Sequence, residues 1–287
     1  METLESILIG RADRGMERLL PFLPEDACLA ASREILSWKP GEVLLTAGFY
    51  VKGHPETDGP GGAFCLAFGL SLLGFSPLLL TDAAFLPVFR PLREHLPSLS
   101  LLPMEEDDPA GFALRLLAEH PFSGMISVER CSRTKDGSYR NCRGVSIDAH
   151  TAPCDLPFLL APERGIPTIG VGDGGNEIGM GNLAEQIREL LSIEPAEVRT
   201  TRLVVADVSN WGAYGIAAGL NALTGKNLMP DPSLLLQVME ECVGLGAVDG
   251  FSGLPEKKVD GFPYETGLSV YRELQDWASR FSLTSER

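Results

Sequence analysis

The chain has 287 residues, 44% of them hydrophobic and 22% charged, with a formal net charge of -15. That acidic balance argues against nucleic acid or an anionic membrane as a main partner, and no apolar run approaches the roughly 20 residues that span a bilayer. The six cysteines are scattered without a C-x-x-C pair and the four histidines form no H-E-x-x-H, which excludes the common zinc patterns and points any metal site toward oxygen-ligated Mg²⁺ or Mn²⁺.

The opening METLESILIGRADRGM lacks the basic-then-apolar layout of a secretory signal and reads as a surface helix at the start of a helical segment over about residues 1–40, in a cytoplasmic protein. Val43 to Ala47 reads as a strand and Ala63 to Leu73 as a helix buried on most sides. Leu78 to Thr81 is the next strand, closing on Asp82. Leu99 to Leu102 is another, before the acidic run from Glu105 to Asp108. Asp108-Pro109 starts a helix that runs to about His120. Gly124 to Val128 is a strand ending in Glu129-Arg130. Thr168 to Val171 and Leu203 to Ala206 are further strands, the second closing on Asp207. Helices near Leu234 to Val243 and Tyr264 to Phe281 complete the chain. Strands alternating with helices predict an α/β fold, a mostly parallel sheet with helices on both faces, in a single catalytic domain with a lobe boundary or lid near residues 141–167.

Two loops carry the chemistry. PTIGVGDGGNEIGMGN (167–182) joins a strand to an amphipathic helix marked by Leu183, Ile187, Leu190 and Leu191, with Asn182 and Glu185 as a capping pair. Its glycines bring the backbone close to a ligand, and the oxygens of Asp173, Asn176 and Glu177 suit a cation. Gly170, Gly172 and Gly175 satisfy G-x-G-x-x-G, but Asp173 and Glu177 would set negative charge where a pyrophosphate must lie. Gly174 and Gly179 have P-loop spacing, yet Met180 and Gly181 replace the Lys and Ser/Thr, so that reading fails. The earlier loop from Gly53 to Gly62 carries Glu56 and Asp58 into a helix. Ligands of open parallel sheets bind outside the carboxyl ends of the strands, so both loops should share one rim with Asp82, Glu129 and Asp207. Crowded carboxylates are costly to desolvate, and a divalent cation removes that penalty.

The stretch 129–144 concentrates cations. Asp136-Gly137 reads as a hairpin turn that leaves Arg133, Lys135 and Arg140 solvated near its tip. Arg130, at a strand end, and Arg143, where the hairpin returns, are placed to clamp a carboxylate or phosphate. Asp249 and Asp260 read as turn formers. These parts suit a metal-dependent enzyme on a small anionic substrate, and equally a metal-dependent phosphatase on a small phosphomonoester or a protein that binds an anionic metabolite without chemistry.

GHPETDGPGGA (53–63), ERCSRTKDGSYRNCRG (129–144), TIGVGDGGNEIGMGN (168–182), NWGAYGI (210–216) and GAVDG (246–250) together resemble the D-glutamate cyclase-like family, over roughly Val43 to Gly261. The resemblance implies a lyase that closes D-glutamate to 5-oxo-D-proline with loss of water. It implies a metal set of Glu56, Asp58, Asp173, Asn176 and Glu177, with Glu177 or Asp207 as base and later acid. Arg130, Arg143, Asn141 and Asn210 would hold the substrate. Association with further copies of the chain stays open.

Overall fold

The computed structural model describes residues 3–105 and 107–285; Glu106, inside the acidic run, lies outside them. Six strands form one parallel sheet: β1 (Glu42–Ala47), β4 (Ser76–Thr81), β5 (Ser100–Pro103), β6 (Gly124–Val128), β7 (Thr168–Gly172) and β8 (Arg202–Val205). The order across the sheet is β5-β4-β1-β6-β7-β8, with Leu44 beside Leu78 on one side and Met125 on the other. A two-residue hairpin, β2 (Tyr50–Val51) with β3 (His54–Pro55), interrupts the loop after β1, and β9 (Lys258–Val259) pairs with β10 (Phe262–Pro263) near the C-terminus.

Side chains alternate across a strand, so β1, β4 and β6 each feed two layers. Val43, Leu45, Ile126, Val128, Ile169 and Val171 face one apolar cluster, whereas Leu44, Leu78, Leu80 and Met125 face the other. The first and larger cluster is built with α1 (Leu4–Leu8), α2 (Ala27–Ser37), α3 (Pro60–Leu72), α4 (Leu86–His95), α8 (Ser209–Thr224), α9 (Pro232–Gly244) and α10 (Tyr264–Ser285). The second is built with α5 (Pro109–Glu119) and α6 (Leu156–Leu160). α7 (Ala184–Leu191) follows the central glycine loop and adds Ile187 to the larger cluster. The expected α/β architecture, with helices on both faces of a parallel sheet, is the one observed.

Three local expectations change. The opening segment is not a surface helix: α1 is five residues long, and Leu4, Ile7 and Leu8 are buried in the core. Asn182 does not cap α7, because its amide exchanges two hydrogen bonds with the backbone of Thr200 instead. Arg133 is not simply solvated, since it forms a forked ion pair with the buried Asp155 at 2.9 and 3.0 Å. The hairpin turn at Asp136-Gly137 is present, closed by the hydrogen bond from Gly137 N–H to the Thr134 carbonyl.

Candidate active site

Taken in chain order, the sheet strands lie third, second, first, fourth, fifth and sixth, so connections leave β1 and β6 in opposite directions. A crevice opens at such a switch, outside the strand carboxyl ends. Here it is a cleft of about 750 Å³ lined by Arg14, Glu56, Glu129, Asn141, Arg143, Asp173, Asn176, Glu177, Phe251 and Asp260, among others.

Four loops deliver its acids. Glu56 follows β3, Glu129 follows β6, and Asp173 and Glu177 follow β7, while Asp260 sits in the β9–β10 turn. Asp58 lies just ahead of α3, and its carboxylate accepts from Gly59 N–H (2.9 Å), Asn210 N–H (2.7 Å) and Ser209 N–H (2.8 Å). The last two are the first donors of α8, so that helix terminus directs partial positive charge at Asp58. Asp173 accepts from Ser209 N–H as well, at 3.2 Å, and the Ser209 hydroxyl donates to Glu129 at 2.6 Å. One helix N-terminus thus gathers acids from three loops. Asp58, Glu129 and Asp173 form a buried triad whose ligand oxygens lie within 4.8 Å of one another, an arrangement that could bind a metal ion.

The electrostatics show how crowded this is. Burial, then the charge of Asp260, pushes Asp58 up to about 7. Burial also raises Glu56, Glu129, Asp173 and Asp260 well above the ordinary carboxylate range, each with carboxylate neighbours adding to the rise. Glu177 is raised by burial, against the opposing backbone N–H groups around Gly175. Among the described residues, the cation ion-paired with these acids is Arg14, which meets Asp173 at 2.6 Å and Asp260 at 3.2 Å.

Two observations test whether the residues fit a cation. Glu56 is buried, yet its Oε1 has no hydrogen-bond partner. Gly250 leaves open a space in which a Cβ would stand 2.5 Å from Glu56 Oε2 and 2.6 Å from Asp260 Oδ1. A bare carboxylate oxygen, an acid triad and a backbone shaped around them fit a hard, oxygen-ligated ion. Glu129 and Asp260 also hold left-handed backbone, at φ 48° and 51°. Such strain in non-glycine residues persists where the surroundings over-determine it, often at functional sites.

Of the residues nominated from sequence, Glu56, Asp173, Asn176, Glu177, Asn141 and Arg143 line the cleft, and Asp58 joins Asp173 in the triad. Three are placed elsewhere. Arg130 is 1% exposed and bonded to Asp82 and to the carbonyls of Gly48 and Ala152, so its guanidinium braces the core. Asp207 is enclosed and accepts from the N–H groups of Arg11 and Ala12. Asn210 accepts from Gly59 and Gly62 N–H and donates to the Thr57 carbonyl, which ties the start of α3 to α8. Conversely, Arg14, Glu129 and Asp260 belong to the cleft and stand outside the nominated set. Glu129 was visible as a strand-end acid and Asp260 as an Asp-Gly turn; Arg14 carried no motif.

Residues 4–275 match the family described as D-glutamate cyclase-like, C-terminal. This chain belongs to the D-glutamate cyclase-like family. It is 29% identical over 318 aligned positions to the human protein named "D-glutamate cyclase, mitochondrial", covering 95% of this chain and 51% of that protein. The chain thus spans about half the length of the curated relative it matches. No helix among the described residues is long and apolar enough to cross a membrane.

Proposed function

We propose that this chain is a divalent-cation-dependent lyase that closes D-glutamate to 5-oxo-D-proline. The observation that supports it is the convergence of Asp58, Glu129 and Asp173 in the cleft of a member of this family. In the reaction the substrate amine forms a bond to its own side-chain carboxyl carbon, a C–O bond breaks, and two of the three ammonium protons leave with that oxygen as water, the third staying on the ring nitrogen.

Asp58, Glu129 and Asp173 would hold Mg²⁺ or Mn²⁺, with Glu56, Asn176 and Glu177 within the surrounding shell. A bound divalent ion would polarise the side-chain carboxyl group and stabilise the departing oxygen. Glu177 is the nominated base that lines the cleft, and its raised proton affinity suits taking a proton from the ammonium and returning it to the leaving oxygen. Asp207, enclosed behind the N-terminal loop, does not reach the same space. Arg143 and Asn141, on the rim, would meet the α-carboxylate. Folding the substrate so that amine and carboxyl touch supplies further acceleration, since oriented intramolecular reactions reach effective molarities of about 10⁵–10⁸ M.

Incubation with D- and with L-glutamate and Mn²⁺, followed by chromatography of 5-oxoproline, tests the reading. The expected outcome is D-selective product that disappears with EDTA and in Asp173→Asn, a variant that should remain folded but lose Mn²⁺ from its electron paramagnetic resonance titration. Mn²⁺ binding without product from either enantiomer would overturn the cyclase assignment. Phosphate release from p-nitrophenyl phosphate under the same conditions would favour hydrolysis instead.

A further inference from the structure

Arg14 reaches the cleft from a segment with no part in the sheet, and its backbone is held on both sides. Asp207, just beyond β8, donates its N–H to the Leu8 carbonyl, while its carboxylate accepts from Arg11 N–H at 2.5 Å and Ala12 N–H at 2.8 Å. After Arg14 the chain turns at Gly15, φ 79°, and buries Met16 in the core. The side chain is tied differently. Its guanidinium meets Asp173 and Asp260, lies 5.1 Å from the ring centroid of the exposed Phe251, and the side chain keeps 23% of its surface open to the cleft.

The two acids it balances are drawn on by the same cluster. Asp173 belongs to the triad, and Asp260 lies against the Gly250 cradle that also receives Glu56, whose Oε1 has no partner. A divalent cation among these oxygens and a guanidinium on Asp173 repel each other, so occupancy by the first weakens the hold on the second. A freed guanidinium anchored by a fixed backbone, with an aromatic face beside it, has a planar fork ready for a carboxylate. Arg130 cannot supply that fork, because it is committed to Asp82 in the core.

Resting on the cation-dependent reading above, we propose that Arg14 is a further substrate-recognition residue of this site, acting beside Arg143 and Asn141: it balances Asp173 and Asp260 when no ligand is bound and transfers to the α-carboxylate of the acidic substrate when the divalent cation binds. Cation and substrate therefore assist each other's binding, and by linkage the assistance is equal in both directions.

Arg14→Gln and Arg14→Lys test it, with Mn²⁺ binding followed by electron paramagnetic resonance, D-glutamate binding by calorimetry, and steady-state kinetics. In Arg14→Gln, Mn²⁺ should bind about tenfold more tightly without substrate, and the KM for D-glutamate should rise by about tenfold or more, within the usual range of coupling between sites. The enhancement of each ligand's affinity by the other, present in the natural protein, should vanish. Arg14→Lys keeps the charge but not the fork, so it should restore natural Mn²⁺ affinity while leaving KM raised. Unchanged Mn²⁺ affinity and unchanged KM in a folded Arg14→Gln would overturn the inference while leaving the cation-dependent reading intact. Failure of the natural protein itself to bind Mn²⁺ would overturn both, and would show before any variant was made.

Discussion

Asp58 receives three backbone N–H groups and still needs a proton up to about pH 7, because burial and the Asp260 charge outweigh those donors. In the unfolded chain its ordinary value is 3.8, so the folded form binds more protons between the two. For a raised acid, that contribution to stability is complete below the unfolded value and is lost as pH rises through the folded one. Glu56, Glu129, Asp173 and Asp260 shift in the same direction and add to the loss. Urea unfolding in EDTA should therefore give a more stable protein at about pH 5 than at about pH 8, with a shallower slope in Asp58→Asn. Stability that rises with pH over that range would contradict the arrangement of buried acids. At this scale the sequence was a partial guide. It exposed Asp58 and Asp173 through their glycine neighbours, but left Arg14 indistinguishable from any surface arginine.

At the scale of elements, α3 and α8 start side by side and supply each other's missing caps. Asn210 of α8 accepts from Gly59 and Gly62 N–H, and Asp58, ahead of α3, accepts from Ser209 and Asn210 N–H. The approach depends on Gly62, where a Cβ would stand 2.8 Å from the Ala213 Cβ and 2.9 Å from Val128 Cγ1. Gly62→Ala should destabilise by about 1–3 kcal/mol, the usual cost of overpacking, and should weaken Mn²⁺ binding because the Asp58 donors shift with α8. Differential scanning calorimetry and Mn²⁺ titration check both. The short apolar runs that became β1, β6 and β7 were legible because local composition and bounding turn residues are signals carried by near neighbours. The two-residue β2–β3 hairpin was not, since a pair that short leaves no periodicity. Asn182 had the local form of a cap, and a tertiary partner, the Thr200 backbone, took its amide instead.

Over the whole molecule, a net charge of -15 and an acid-lined cleft attract cations and repel the anionic substrate of the proposed reaction. Salt shortens the reach of both effects, with a Debye length of about 10 Å at 0.1 M and about 3 Å at 1 M. Raising NaCl should therefore weaken Mn²⁺ binding, while at saturating Mn²⁺ the kcat/KM for D-glutamate should rise as repulsion is screened. Equal salt dependence in sign for both would count against an acidic entrance. The alternation of strands and helices, and the placing of acids in glycine turns after strands, were determined by the sequence alone, because periodicity and turn chemistry act between near neighbours. Which acids meet was decided by the tertiary structure. Residues 58, 129 and 173 come together through the reversal of strand order beside β1 and the N-terminus of α8, and residues 14 and 260 join them from the N-terminal segment and the β9–β10 turn. The same folding carries Arg130 and Asp207 inward, where they hold the frame around the cleft. A carboxylate or guanidinium looks the same along the chain in either role, and the difference lies in which distant backbone and charge it faces.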